Sequence, residues 1–363
     1  MSLQEVRAKI DAIDEQLLRL LNERAEIVHQ VGEIKRKDDL DIYVPGREDQ
    51  LLRKLVELNA AQSGRLTERA IRAIFREIMS AALALEDSLK IAYLGPAGSW
   101  THQVAVNKFG HCVEYVAEAS TEAVFGRVGA HEADYGVLPI EHSSEGAVHH
   151  TLDHLACSDL RIYAEILWKA DAAVMAREGT TTVTAIHGHP QMLAHCRPWL
   201  VEQFPGAQLV ESASSSLAAD LAAREPGVAA LGTSLGAELH GLRVLAASPR
   251  TYSTRTRFII LGRRSGPPSG KDATMLMVDA HDRVGALMEV LQVFASSDVN
   301  VRQIENRPMG GGGEGDWRAR FFLEVSGHLE DTAIRQAVEA LEAQSVRVKV
   351  LGSYPATTWV EER

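Results

Sequence analysis

Leu3, Val6, Ile10, Ile13, Leu17 and Leu20, then Ile27, Val31 and Ile34, follow in alternating steps of three and four, and Arg24 stands on the same series. This spacing predicts one long helix with a coiled-coil-like seam. Pro45 occupies a favoured first position for a second helix. Arg47 and Glu48 fall in its first turn, and Leu51, Leu52, Leu55 and Leu58 supply its core face. Ser63-Gly64 breaks that helix, and Thr67 caps a third whose apolar stripe runs Ile71, Ile74/Phe75, Ile78, Ala82 and on to Glu86. Residues 1–88 are therefore expected to form an all-α head.

From Ile91 the pattern changes. Residues 91–94 read as a strand stopped by Gly95-Pro96, and further apolar runs at 113–116, 135–140, 172–176, 183–186, 208–210, 228–231 and 257–262 alternate with helical stretches. Strands alternating with helices predict a covered open sheet, here in two lobes with a cleft over residues 91–265. Sites in such folds gather in loops beyond strand ends. The candidates are Gly98-Ser99-Trp100-Thr101, the loop 141–146, Gly188-His189-Pro190-Gln191, and Thr254-Arg255-Thr256-Arg257-Phe258. The glycines and hydroxyls of the first are expected to open backbone N–H groups to an anion at a helix start.

A Pro/Gly/Ser linker at 263–271 precedes a last set of elements. Strand 274–280, helix 284–297, strand 299–307, a glycine loop at 310–313, strand 318–325, helix 332–343 and strand 346–351 make the order βαββαβ. That order predicts an α+β ferredoxin-like module over residues 273–363. Gly285, in the first helical turn, lets a ligand approach closely.

Composition narrows the function classes. A chain of 363 residues with 45% apolar content can build cores in two or three domains. It has no apolar leader and no long uncharged apolar run, so neither secretion nor a membrane partner is expected. Cys112, Cys157 and Cys196 form neither a disulfide framework nor a metal spacing, which fits a reducing cytoplasm. The histidines show no zinc-like pattern, so no metal is expected. A net charge of −11 argues against nucleic acid, and an anionic ligand must then be held by local Arg and Lys clusters.

Arg24 is one such cation. An unpaired guanidinium in an apolar seam is costly, so Arg24 either fixes helix register or awaits an anion. Lys35 lies on nearly the same face, about 16 Å further along the axis. Arg7 lies on another face and reaches that place only from a second copy, which implies a homodimer with the long helices packed together. On these residues the head resembles the all-helical, dimeric chorismate mutase family. That family uses no covalent catalysis and no cofactor, and orients chorismate for an intramolecular Claisen rearrangement. The resemblance puts Arg24, Arg47 and the partner's Arg7 on the two substrate carboxylates, Lys35 on the ether oxygen and Glu48 on the ring hydroxyl. Glu86 falls where members carry Gln or Glu, and as Glu it must be protonated to donate. Val44 stands at a position that is acidic in some members.

The four central loops together resemble prephenate dehydratase, and the resemblance implies a two-lobed, periplasmic-binding-protein-like fold. In that family the Thr-Arg-Phe element is the most diagnostic, and its threonine helps the ring hydroxyl leave as carboxylate is lost. The resemblance makes Thr256 the donor and Arg257 a structural or carboxylate-binding cation. It places Ser99, Thr101, Glu141, His142, Gln191, His195 and Phe258 around prephenate. Four positions depart from the family: His142 replaces Asn, Gly188 replaces Ser, His195 replaces Gln and Thr254 replaces Asn. Histidine can replace an amide as donor or acceptor, so the cleft is either a repacked working site or a decayed one.

Gly285-Ala286-Leu287-Met288 with Glu305-Asn306-Arg307-Pro308 resembles the ACT regulatory domain of prephenate dehydratases, with Asn306 where Ser is usual. In that family the two motifs bind L-phenylalanine between paired domains; the plainer reading is a module that only dimerises. Together the resemblances imply a cytoplasmic bifunctional enzyme without cofactor. It converts chorismate to prephenate in the head and prephenate to phenylpyruvate in the centre, under feedback by L-phenylalanine. The altered cleft leaves two alternatives: a mutase with arogenate dehydratase activity, or a phenylalanine-sensing regulator whose cleft binds without turnover.

Overall fold

The computed structural model describes residues 2–38, 41, 43–86, 89–143, 145–252, 254–281, 283–308, 318–344, 346–357 and 360–361. The chain separates into two compact units, one of residues 1–90 with 106–114, the other of residues 91–105 with 115–363.

The first unit is built on three helices, α1 (Leu3–Lys37), α2 (Pro45–Ala61) and α3 (Glu68–Glu86). Helix α1 opens in a capping box, in which Ser2 Oγ accepts from the Glu5 N–H and the Glu5 carboxylate accepts from the Ser2 N–H. Lys35, Arg36 and Lys37 in its last turn complement the helix dipole. The expected seam is present, but in one chain it lies open: Ile13, Leu17, Leu20 and Ile27 are each more than half exposed. Isolated exposed leucines are ordinary, whereas a continuous stripe of them marks a surface that something covers.

The second unit begins with a sheet that contains β1 (Lys90–Leu94), α4 (Trp100–Phe109), β2 (Glu114–Glu118), α5 (Thr121–Gly129), β3 (Tyr135–His142), β4 (Gly146–Ala147), α6 (His149–Cys157) and β5 (Arg161–Ala170) among its strands and covering helices. The chain then leaves it to build a second sheet from β6 (Ala173–Ala176), β7 (Ala185–Gly188), α7 (Pro190–Gln203), β8 (Gln208–Glu211), α8 (Ser215–Arg224), β9 (Val228–Gly232), α9 (Ser234–Leu239) and β10 (Arg243–Ala247). It returns as β11 (Thr254–Gly262), inserted between β5 and β3. The third sheet is made by β12 (Asp272–His281), α10 (Ala286–Ser296), β13 (Val301–Pro308), β14 (Arg318–Ser326), α11 (Thr332–Ala343) and β15 (Arg347–Pro355), while β16 (Val360–Glu361) pairs with β5. Its strand order, β13-β14-β12-β15, is that of a ferredoxin-like βαββαβ sheet.

Three expectations are corrected. The ten-residue strand β5 goes unseen in the sequence because Glu165 interrupts its apolar run, yet it pairs with β11 along its whole length. The motif residues 254–258 and Glu141-His142 lie on β11 and β3, not in loops, because neighbouring strands satisfy the backbone and leave the polar side chains free to find partners. The stretch 263–271 is no free linker: the Gly266 N–H donates to the Ser353 carbonyl at 2.8 Å, and His328 Nε2 lies 2.9 Å from the Gly266 carbonyl. One apolar cluster joins Leu138, Ile140, Ile259 and Leu261 of the first sheet to Met275, Met277, Phe322, Leu351 and Tyr354 of the third. The C-terminal module therefore shares a core with the sheet that carries Thr256.

Candidate active sites and effector cavity

In the first unit Arg7, Arg24 and Lys35 project from α1, Arg47 and Glu48 from the first turn of α2, and Glu86 is the last residue of α3; the Glu86 side chain lies outside the described residues. Arg7 and Arg47 are exposed, while Arg24 and Lys35 are half-buried. Arg24 and Lys35 are separated by eleven residues, close to three turns, so they share a face of α1; Arg7 does not. Glu48 is strongly perturbed. Burial raises its pKa to about 7 against the pull of Lys108, Asp49 raises it further, and Arg76 and Tyr43 lower it. Lys108 Nζ stands 4.0 Å from the Glu48 carboxylate and 3.6 Å from that of Asp49, and 5.9 Å above the Tyr43 ring. Arg76 donates to Asn107 Oδ1 at 3.0 Å, and burial lowers its pKa while Glu48 opposes that shift.

Tyr43, Arg76 and Lys108 escape sequence reasoning. Lys108 belongs to a segment beyond the head's last helix, held there by the Cys112 N–H donating to Ser80 Oγ at 3.0 Å and by Phe109 against Tyr43 at 4.8 Å between centroids. Gly110 permits this approach. Its φ of 78° is left-handed, and a Cβ would stand 2.4 Å from Ser80.

In the second unit Thr256 is buried on β11 directly opposite His142 on β3, with His142 Nδ1 and Thr256 Oγ1 3.1 Å apart. Burial holds the His142 pKa below the ordinary histidine value, against the influence of Glu145. Phe258 is buried beyond a bulge that follows Arg257.

Arg257 is surrounded by protein. Its Nε donates to Glu165 at 2.8 Å, one terminal nitrogen donates to Gln303 at 3.1 Å, and the other donates to Glu324 and, at 3.1 Å, to Tyr354 Oη. Glu141 stands 3.8 Å away, Tyr354 donates to Glu324 at 3.0 Å, and Arg302 pairs with Glu324 at 2.9 Å. Burial works against the Arg257 charge, but Tyr354, Glu165 and Glu141 outweigh it and the pKa rises. Every guanidinium nitrogen thus faces an acceptor of this chain, the geometry of the structural cation rather than of a carboxylate ligand. Glu165, Gln303, Glu324 and Tyr354 carry no motif that singles them out in the sequence.

The expected anion cradle before α4 is closed. The Gly98 N–H donates to His102 Nδ1 at 3.1 Å and the Ser99 N–H to the Pro96 carbonyl at 3.1 Å. Ser99 Oγ caps the helix by accepting from the His102 N–H at 3.2 Å, and Thr101 is buried. Gln191 and His195 lie on α7, an element of the second lobe, where His195 meets Tyr252 edge-on at 6.2 Å.

In the C-terminal module Gly285 is the left-handed N-cap of α10, φ 87°, and not part of its first turn. With Ala286, Leu287, Met288, Arg283, Ala319 and Phe321 it lines a cavity of about 350 Å³. The second motif lies elsewhere in this chain. Glu305 lines a cavity of about 20 Å³ beside Arg257, and Arg307 grips Asp153 of α6 at 3.0 and 2.7 Å. That hydrogen bond lowers the Asp153 pKa. Asn306 is on β13 between them, and the Pro308 side chain lies outside the described residues. Among the described residues no group of three His, Cys, Asp or Glu side chains is placed to hold a metal ion, and no helix is long and apolar enough to cross a membrane.

Comparison with known proteins follows the same divisions. Residues 6–87 match the chorismate mutase type II family, residues 91–266 prephenate dehydratase and residues 274–343 the ACT domain. A bifunctional chorismate mutase/prephenate dehydratase of Aquifex aeolicus is 36% identical over 356 residues, covering 97% of this chain and 98% of that protein. A prephenate dehydratase from Arthrobacter aurescens, solved in complex with L-Phe, is 32% identical with a TM-score of 0.66 and covers 74% of this chain and 90% of its own. The quorum-quenching acylase GqqA is also similar, at 25% identity and TM-score 0.66, over 74% of this chain and 98% of its own.

Proposed function

The chain belongs to the bifunctional chorismate mutase/prephenate dehydratase family, and on that premise we propose how its residues divide the two reactions. It is an enzyme with two activities, an isomerase that converts chorismate to prephenate and a lyase that converts prephenate to phenylpyruvate. In the mutase reaction Arg24, Arg47 and the partner's Arg7 hold the two carboxylates, Lys35 and a protonated Glu86 donate to the ether oxygen, and Glu48 engages the ring hydroxyl. These groups position the substrate and stabilise charge as the ether bond breaks. The open seam of α1 supports a homodimer in which a second copy covers it and delivers Arg7.

In the dehydratase reaction Thr256 donates to the departing ring hydroxyl, with Ser99, Thr101, Glu141, Gln191, His195 and Phe258 shaping the substrate site and Arg257 holding β11 in place. Aromatisation of the ring supplies the driving force. L-Phenylalanine enters the cavity behind Gly285, and Glu305, Asn306, Arg307 and Pro308 of the paired module complete the site. The protein works in the cytoplasm. The domains are 1–88, 91–265 and 273–363.

One observation carries this division of labour. Glu48 and Thr256, each withdrawn from water beside groups that tune its proton, lie in different compact units. Product analysis with chorismate, prephenate and arogenate supplied separately to the pure protein tests it. Phenylpyruvate from both chorismate and prephenate is the expected result, and turnover of arogenate alone in the second step would replace the substrate assigned to the centre.

A further inference from the structure

Thr256 and His142 meet because of register. Residues directly opposite across antiparallel strands emerge on the same face with Cβ atoms about 5 Å apart, which brings His142 Nδ1 to 3.1 Å from Thr256 Oγ1. The register is pinned beyond the pair: the Ser143 N–H donates to the Arg255 carbonyl at 2.8 Å, and Ser143 Oγ accepts from the Arg255 N–H at 3.2 Å. A slip of one residue would turn His142 to the opposite face of the sheet.

The chemistry of dehydration makes the pair matter. A departing hydroxyl needs a proton, and a threonine that gives up its own must regain one; a histidine opposite it can return that proton directly, which the asparagine usual at this position cannot. We propose that His142 is the proton source behind Thr256, a proposal that rests on the reading of Thr256 as the donor. The ring C–O bond breaks with its electron pair on oxygen, and that oxygen takes the Oγ1 proton of Thr256 and leaves as water. Thr256 takes the Nδ1 proton of the His142 imidazolium. The bond from the ring to its carboxylate breaks, its electron pair completes the aromatic ring, and carbon dioxide departs. His142 is left neutral and recovers a proton from solvent, so each turnover consumes one proton. Thr256 touches the substrate; His142 acts through it as a positioning residue.

An unprotonated Nδ1 fails in two ways: it has no proton to give, and as an acceptor it draws the Thr256 hydrogen away from the substrate. Glu145 favours the imidazolium against burial. Glu141 and Arg257, the next pair along the ladder, face one another at 3.8 Å, and Arg255 is exposed. The neighbours across β5 and β4 are the uncharged Trp168, opposite Thr256, and Gly146, opposite His142.

The test is prephenate turnover against pH in the wild type and in His142→Asn, with chorismate turnover as the check of folding. In the wild type kcat/KM should fall roughly tenfold per pH unit above one ionisation of the free enzyme. In kcat the same ionisation should move to higher pH, because two substrate carboxylates favour the imidazolium. Asparagine can still donate to Thr256 but has no proton to transfer, so His142→Asn should lose the ionisation and run roughly 10²-fold slower at the acid plateau. The wild-type rate in mixtures of light and heavy water should bow, as two protons move together, and straighten in the variant. An ionisation unchanged in His142→Asn, or a straight wild-type line, overturns the relay. The wild-type line decides even if the variant has no measurable prephenate turnover. A wild type that leaves prephenate untouched is a separate result, which overturns the dehydratase reading beneath the relay.

Discussion

The two compact units treat their charges and their apolar surface in opposite ways. The first leaves the seam of α1 in water and spreads Arg7, Arg24, Lys35 and Arg47 over exposed or half-buried positions. The second buries Arg257 among Glu165, Glu324 and Tyr354 and packs its third sheet against its first through a single core. The first unit thus keeps these cations where a ligand arriving from outside can reach them. The second satisfies its motif arginine from within, with acids and a tyrosine of its own chain.

The largest effect should come from removing the buried cation. Arg257→Ala takes the bonded cation from Glu165 and leaves Glu324 with only Arg302 and Tyr354, a loss of about 3–5 kcal/mol. Dehydratase activity should then fail at much lower urea than in the wild type, while mutase activity fails where it did before. Equal shifts in both would erase the contrast between the units. Arg24→Ala tests the other side. Mutase kcat/KM should drop roughly 10²–10³-fold, the scale of losing one preorganised donor, with prephenate turnover unchanged. A matching loss of prephenate turnover in folded protein would show that one site serves both reactions.

Leu17→Glu asks whether the seam is covered. On a free surface such a change is worth within about 0.5 kcal/mol. We expect instead a shift to monomer in sedimentation and the loss of mutase turnover, and a variant that sediments like the wild type would mean that the seam stays open. L-Phenylalanine at 100 times its Kd should stabilise the protein by about 2.7 kcal/mol. Gly285→Val should remove that protection, since its φ of 87° is strained for a branched residue. Deleting the module is a poorer test because it strips Met275, Phe322 and Tyr354 from the shared core.

The smallest effect concerns Glu48, whose pKa in the folded chain, about 7, lies above the ordinary glutamate value of 4.5. The fold favours its protonated form, so this contribution to stability is present below pH 4.5 and is lost as pH rises through 7. Glu48→Gln should flatten the denaturation midpoint of the head over that window. A midpoint that keeps the wild-type slope would assign the titration to another group.

Much of this was legible in the chain itself. The three-four spacing of Leu3 to Ile34 determined α1 and its seam, Pro45 and Thr67 marked the next two helices, and the order of elements after residue 271 determined the ferredoxin-like sheet. Periodicity reports which face of an element leaves water, because burial repeats with the element's own geometry. It does not report what that face meets. Lys108 comes to Glu48 from a stretch sixty residues on, and Glu324 comes to Arg257 from sixty-seven residues on. Only the tertiary structure set those pairs, since strand register and helix packing decide which distant side chains share one buried volume, and local sequence carries no record of it.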